Sequence, residues 1–430
     1  MTANPRFQAP RGTHDVLPQH AARWQWIEEA FRATCRRAGF GEIRTPTFED
    51  TEVFARGVGD TTDIVTKQMY TFEDRGGRSV TLRAEGTAPV LRALIQHGAL
   101  GAGGGVHKVF YLTPIFRYER PQAGRLREHH QGGIEIVGAP GPEADAEVIG
   151  VGIAYLAAVG ITDAELRLNS IGDAVCRTAY RDLLRAYLKP KFDELCPDCQ
   201  VRFERNPLRI FDCKVPHCRE LIAGAPAMVD HLCADCRAHF DGVQAALRAR
   251  GIAFTLDPGI VRGLDYYTRT TFEVTHGALG AQDALLGGGR YDGLAELLGG
   301  PPTPGVGFGC GLERVLLVTE KLGVQPPAAA LDAYVAAASA AAAAQVGPLA
   351  YRLRSEGLAA DFDPLGRSLK AQMKEAARRN AAFAIILGDD ELAAGEATLR
   401  DLTTGHQGRV AVDRLAATLL SWRKSPPQPA

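Results

Sequence analysis

Between residues 305 and 311 the chain reads Gly-Val-Gly-Phe-Gly-Cys-Gly, with glycine at every second position. Side chains alternate between the two faces of a strand, so this segment makes a strand with one apolar face and one bare face. A flat ring can lie against such a backbone, and a strand packed tightly beneath a helix accounts for the pattern equally well. Leu312, Val315, Leu316 and Thr319 follow at helical spacing, which puts Arg314 in the first turn of the next helix. Neither common phosphate loop is present: the dinucleotide fingerprint is not completed, and G-x-x-x-x-G-K-[ST] does not occur.

The rest of the chain divides around that strand. Apolar residues recur at three- and four-residue spacing over 21–38, a pattern that predicts an amphipathic helix ending at Gly39, with a strand over 43–48. Further β-type runs at 108–116, 133–137 and 259–274 predict an antiparallel sheet. Between about 172 and 258 cysteines cluster, charges become dense and helical patterns replace strands, which reads as an inserted helical module. Paired prolines at 326 and 327 mark a linker over 326–330. Beyond it, over 331–425, strand patterns at 333–337, 359–362 and 382–387 alternate with helix patterns at 340–357, 369–380 and 412–421, predicting a separate α/β domain. The catalytic part is therefore expected over 1–325, interrupted by the insertion.

A length of 430 residues exceeds the usual single domain, in keeping with that division. The formal net charge of −1 requires any nucleic-acid partner to be met by local basic patches. The first residues have neither a charged start nor an apolar run, and the alanine-rich stretch over 326–346 is broken by Asp332, Ser339 and Gln345. No membrane span and a cytoplasmic location are expected.

Two more segments carry arginine beside aromatic or glycine residues: Phe116-Arg117-Tyr118-Glu119-Arg120-Pro121 and Val261-Arg262-Gly263-Leu264-Asp265-Tyr266-Tyr267. With Arg314 they form a set suited to a polyphosphate and a flat base, because the guanidinium fork stays charged and binds phosphate oxygens in pairs. Arg117, Arg120, Arg125 and Arg127 outweigh Glu119 and Glu128 in a loop that can contact a polyanion or simply be solvated. Gln131 and Glu135 share one strand face, and with Glu85 they can clamp an ammonium group.

These residues resemble a known family. Phe116-Arg117-Tyr118-Glu119, followed by His130-Gln131 and Glu135, resembles the second signature motif of class II aminoacyl-tRNA synthetases. Gly307-Phe308-Gly309-Cys310-Gly311-Leu312-Glu313-Arg314 resembles the third, and Pro46 after the long helix matches the first, dimer-forming motif. The Arg262 segment is similar to a signature of histidyl-tRNA synthetases, and Leu82-Arg83-Ala84-Glu85-Gly86-Thr87 to their amino-acid-binding stretch. Ala84, His129 and Gly133 depart from residues common there: proline, phenylalanine and a polar residue. The resemblance spans nearly the whole chain.

It implies an α+β fold: an antiparallel-sheet catalytic core with a helical insertion, and a C-terminal α/β anticodon-binding domain. It implies a homodimer that activates L-histidine with ATP and Mg2+ and transfers it to the histidine tRNA. Carried onto the matching positions, it makes Arg262, Arg117 and Gln131 catalytic. Glu85, Thr87, Arg117, Gln131, Glu135, Arg262, Tyr266 and Tyr267 would bind histidine, and Arg117, Glu119, Arg262 and Arg314 would bind ATP. Arg125, Arg127 and the helical stripe Arg367, Lys370, Lys374 and Arg378 would meet tRNA, with the insertion against the acceptor stem. The alternative of the same core, a regulatory subunit of ATP phosphoribosyltransferase, typically lacks the Arg262 segment and the RNA-binding domain, and both are here.

Six of the nine cysteines, Cys196, Cys199, Cys213, Cys218, Cys233 and Cys236, crowd into 196–236. Two C-x-x-C pairs can bring four thiolates to one zinc, although the 33 residues between the pairs exceed the usual ribbon spacing. Reduced thiols packing a small module are the other reading, and the sequence leaves the metal open.

Overall fold

The computed structural model describes residues 7–59, 62, 64–101, 104–119, 126–213, 215–260, 264, 266–280, 283–326 and 331–424. Two compact units divide at 325/326. The strands of the first are β1 (Gly41–Glu42), β2 (Phe48–Asp50), β3 (Thr71–Glu73), β4 (Ser79–Leu82), β5 (His107–Phe116), β6 (Glu128–Val137), β7 (Glu165–Ser170), β8 (Thr255–Leu256), β9 (Thr268–Thr275), β10 (Ala284–Arg290) and β11 (Gly305–Gly311). Its helices are α1 (Pro18–Arg37), α2 (Thr51–Val58), α3 (Thr87–Gln96), α4 (Pro142–Ala158), α5 (Ala174–Leu188), α6 (Pro197–Arg205), α7 (Pro216–Ile222), α8 (Ala234–Ala249), α9 (Leu294–Leu297) and α10 (Leu312–Lys321).

The main sheet has the order β1-β5-β6-β11-β10-β9-β7-β8. Its six inner strands pair antiparallel, while β1 on β5 and β8 on β7 are parallel. Strand alternation gives the sheet two unlike faces. Phe110, Ile134, Ile136, Phe272, Val274, Val306 and Phe308 point to one core, covered by Ile27 and Phe31 of α1, Tyr155 of α4, Val243 and Leu247 of α8, and Val315 of α10. The opposite face carries Tyr111, Tyr266, Tyr267 and Tyr291 beneath Val90, Leu91 and Leu94 of α3.

α1 buries Ile27, Phe31, Thr34 and Cys35, as the spacing demands. Gly39, just past its end, takes φ of +79°, a conformation open to glycine. Two strand expectations change. Residues 43–47 join β1 to β2 and are not themselves strand, and among the described residues the 259–274 run is strand from Thr268 on. Tyr266 and Tyr267 therefore sit in the turn before β9. The insertion is helical as expected, but α8 runs from its small core, where Cys236 lies, into the main core at Phe240, Val243 and Leu247.

The second unit has strands β12 (Ala333–Ala337), β13 (Ala360–Phe362), β14 (Phe383–Leu387), β15 (Glu396–Asp401) and β16 (Gln407–Ala411). Its helices are α11 (Ala340–Ser355), α12 (Leu369–Arg378), α13 (Asp389–Ala394) and α14 (Leu415–Lys424). The sheet order is β13-β12-β14-β15-β16, parallel through β14 and antiparallel beyond. Ser339 caps α11 by accepting from the Ala342 amide, and Ser368 caps α12 by accepting from Ala371. α11 and α14 cover one face, and α12 meets Tyr334 and Ala336 on the other. Among the described residues no helix is long and apolar enough to cross a membrane.

Candidate active site

The bare face of β11 is occupied over Gly305, Gly307 and Gly309 by side chains of the protein itself, so of the two readings of the glycine alternation close packing accounts for these three positions. A Cβ on Gly305 would come 2.8 Å from Cδ2 of Tyr291, one on Gly307 2.6 Å from Cδ of Glu135, and one on Gly309 2.7 Å from Cδ of Gln131. At Gly311 the Arg314 side chain lies alongside, at an ordinary 3.6 Å. Gly305, Gly307 and Gly309 thus each make room for one polar or aromatic group from a neighbouring element. Tyr111 is housed in the same way, against Gly86 and Gly133.

Those groups form a buried polar pocket. Glu135 has 0 % exposure; Oε1 accepts from Thr87 Oγ1 at 2.8 Å, and Oε2 accepts from Tyr291 Oη. Burial pushes the Glu135 carboxyl up to about 8, against the two hydrogen bonds, which pull it down. Glu85, also buried, accepts from the Thr87 amide at 2.8 Å and the Ala88 amide at 2.6 Å, satisfying the orphan donors at the start of α3. Its carboxyl is likewise raised, chiefly by burial. The Tyr111 phenol is held well above its ordinary value by burial, then by the charges of Glu135 and Glu85. Tyr266 packs at 4.7 Å from Tyr267 and 5.8 Å from Tyr291, ring centre to ring centre. Glu85, Thr87, Glu135, Tyr266 and Tyr267, all expected from the sequence, therefore gather in one buried polar site, with Gln131 on the same strand face as Glu135, and the structure adds Tyr111 and Tyr291. The glycines facing them, Gly133 and Gly305, carry the only trace of those two in the sequence.

A cationic wall adjoins the pocket. Arg117 follows β5 directly, and its Nε donates to the Ala84 carbonyl at 2.7 Å. Arg314, in the first turn of α10, donates to the Ala284 carbonyl at 2.6 Å. Both act on His129, driven down to about 3 by burial and then by the charges of Arg117 and Arg314, so its ring is neutral. Two of the three arginines singled out in the sequence therefore act on one imidazole. The third, Arg262, lies outside the described residues, as does Arg125. Behind the wall Glu313 accepts from the His130 amide at 2.8 Å and from its Nδ1 at 3.0 Å, a bond that raises the His130 imidazole and ties α10 to β6.

Other expected residues have local partners. The Arg127 guanidinium stacks 3.9 Å over the Tyr118 ring, its amide donates to the Gly12 carbonyl, and its Nε donates to the Glu119 carbonyl. In the second unit Arg367 pairs with Asp363 at 2.6 Å and Arg378 with Glu375, whereas Lys370 and Lys374 stand exposed on α12. The two C-x-x-C pairs do not share a site: Cys196 and Cys199 join Cys213 and Cys218, while Cys233 and Cys236 join Asp173 and Cys176.

A family model described as histidyl-tRNA synthetase matches residues 12–190 and 214–315, and one described as an anticodon binding domain matches 332–422. Among curated relatives, a histidine–tRNA ligase of Moorella thermoacetica is 54% identical over 402 residues, covering 93% of this chain and 95% of its own. Another, from Caldanaerobacter subterraneus subsp. tengcongensis, is 50% identical over 409 residues, covering 95% and 98%. The crystal structure of apo S. aureus histidyl-tRNA synthetase superposes with a TM-score of 0.81 at 37% identity, covering 96% of this chain and 99% of that one.

Proposed function

The chain belongs to the histidyl-tRNA synthetase family, and we propose that it joins L-histidine to its tRNA through a histidyl-adenylate formed in the pocket beneath β11. One observation carries the placement: a fully buried carboxylate, Glu135, held by Thr87 and Tyr291 beside a wall formed by Arg117 and Arg314. Ligases at about half identity along almost the full chain favour this reading over a regulatory subunit.

The histidine ammonium meets Glu135, Thr87 and Gln131, with Glu85 fixing the start of α3. Tyr266 and Tyr267 read the imidazole, and Tyr111 and Tyr291 hold Glu135 in place. The substrate carboxylate attacks the α-phosphorus of ATP, forming a P–O bond while the bond to pyrophosphate breaks. No protein nucleophile or base is required, because the attacking group is already ionised; orientation and charge stabilisation carry the step. Arg117 and Arg262 take up the charge on the α-phosphoryl oxygens, and Arg314 holds the nucleotide from the other side. Neutral His129 keeps a third positive charge out of the wall.

Activation uses ATP with a divalent metal, for which we assign magnesium. Glu119, half-buried beside Arg117 in sequence, would offer the hard oxygen donor that such an ion takes, and the bound ion would supply charge neutralisation on the phosphates. The second unit meets the anticodon, with Lys370 and Lys374 exposed for its backbone alongside Arg367 and Arg378. Arg125 and Arg127 are assigned to the tRNA as well, and the insertion to its acceptor stem. The same reading makes the protein a cytoplasmic homodimer joined through the segment containing Pro46.

Exchange of labelled pyrophosphate into ATP tests it. Exchange should require histidine and should vanish in Arg262→Ala with folding intact. Exchange driven equally by other amino acids, or none at all, overturns the proposal.

A further inference from the structure

Apart from Cys35 and Cys310, every cysteine falls between residues 176 and 236, and all are free thiols. Their sulfurs sort into two tight groups. Those of Cys196, Cys199, Cys213 and Cys218 lie within 4.8 Å of one another, and the same holds for Cys176, Cys233, Cys236 and a carboxylate oxygen of Asp173. Zinc bonds to sulfur of about 2.3 Å set tetrahedral thiolates roughly 3.8 Å apart. Cys196 and Cys213 already stand at 3.8 Å.

One local device recurs in both groups. Asp173 is the N-cap of α5 and Cys176 lies in its first turn, three residues on; Cys196 and Cys199 begin α6 in the same way, and Cys233 and Cys236 begin α8. Backbone amides brace the ligands: Asp173 accepts from the Cys176 amide at 3.0 Å, Cys176 Sγ from the Cys233 amide at 3.1 Å, and Cys218 Sγ from the Cys196 amide at 3.3 Å. The first turn of each helix fixes the spacing of each pair, with Asp173 and Cys233 capping theirs through the side chain, and two such ligand pairs, or one pair with Cys213 and Cys218, converge on a common centre. Packing of neutral thiols explains neither the carboxylate set among three sulfurs nor the division into two quartets.

The surroundings supply a reason for metal. The insertion packs around a small core in which Cys176, Cys199, Cys213, Cys218 and Cys236 are themselves central. A module with so little aliphatic core gains most from crosslinks. The Asp173 group joins the start of α5, where the chain leaves β7, to the start of α8, where it returns toward β8. The other group closes the outer part of the module.

We propose that the chain carries two structural zinc ions, one bound by Cys196, Cys199, Cys213 and Cys218, the other by Asp173, Cys176, Cys233 and Cys236. The test is elemental analysis and native mass spectrometry of the full-length protein, produced with added zinc and purified without chelator. Two zinc ions per chain are expected. C196S/C199S and C233S/C236S should each lose one ion and keep the other. Should either variant fail to fold, 113Cd NMR of the cadmium-exchanged wild type decides, with two resonances expected, one from four sulfurs and one shifted by an oxygen ligand. Fewer than two ions per chain, a single resonance, or loss of the same single ion in both variants overturns the proposal.

Discussion

Gly307→Ala adds one methyl group at the point where β11 meets the buried carboxylate. Its Cβ would come 2.6 Å from Cδ of Glu135, and nearer still to Oε2 and to the backbone oxygen of Ile134. The Ile134 oxygen belongs to the β6–β11 ladder, in which Phe308 pairs with Ile134, so the two strands must part locally and the side chain of Glu135 must give way as well. Moving it breaks the hydrogen bonds from Thr87 and Tyr291 and takes the carboxylate from the histidine ammonium. A hydrogen bond to a charged group contributes about 1.5–3 kcal/mol, which at a factor of ten per ~1.4 kcal/mol raises KM for histidine roughly 10- to 100-fold. Overpacking adds a stability cost of about 1–3 kcal/mol. Pyrophosphate exchange gives the two KM values separately, and KM for ATP should stay within about twofold of wild type. Gly309→Ala meets the flexible end of Gln131 and should cost less stability, and Gly277→Ala, with nothing within 4 Å of its Cβ, should change neither quantity. A Gly307→Ala enzyme with wild-type KM for histidine refutes the idea that the glycine face exists to seat Glu135.

Three further outcomes follow from charge. Glu135, pushed up to about 8 by burial, is neutral at pH 6–7, and the histidine ammonium favours its ionised form, so the ratio of KM for histidine between wild type and Glu135→Gln should fall about tenfold from pH 6 to 7 and level off above 8. Because that folded value stands above the ordinary 4.5, the stability contributed by neutral Glu135 is lost as pH rises from about 4.5 to about 8, and Glu135→Gln should gain thermal stability relative to wild type over that window; a constant difference in melting temperature contradicts this. Lys370→Glu with Lys374→Glu should weaken tRNA charging and lower its salt dependence by about one unit of slope per lysine, leaving pyrophosphate exchange untouched; equal charging by wild type and variant removes these lysines from the interface.

Much of this arrangement was legible before any coordinates. β5, β11 and α10 follow alternation and spacing, and β12, α11, β13 and α12 appear within a residue or two of their patterns, because the helices each bury one apolar stripe and the strands are short apolar runs bounded by turn residues. β15 alternates but buries only Ala397 and Leu399, too short an apolar run to stand out from a loop, and β16 is largely exposed. The 259–274 run looks continuous by composition, yet at Arg269 the backbone turns left-handed, with φ of 52°, and the β9–β10 register shifts nearby. Spacing fixed that Gln131 and Glu135 share a face but not what fills the space opposite Gly307 and Gly309. Tyr111 and Tyr291 were missed because a tyrosine in or after an apolar strand reads as packing. The cysteine spacing suggested one shared site, whereas helix starts far apart in sequence decide which sulfurs meet. Arg127 illustrates the converse: a basic loop reads as solvated or phosphate-bound, and stacking on Tyr118 is a tertiary event that charge counting does not register.

The most direct test is a crystal structure with a non-hydrolysable histidyl-adenylate analogue. The account predicts the ammonium within hydrogen-bonding distance of Glu135 and Thr87, the imidazole against Tyr266 and Tyr267, and the phosphoryl group touched by Arg117 with Arg314 on the nucleotide. An analogue bound with its ammonium away from Glu135, or with its phosphoryl group out of reach of Arg117, contradicts it.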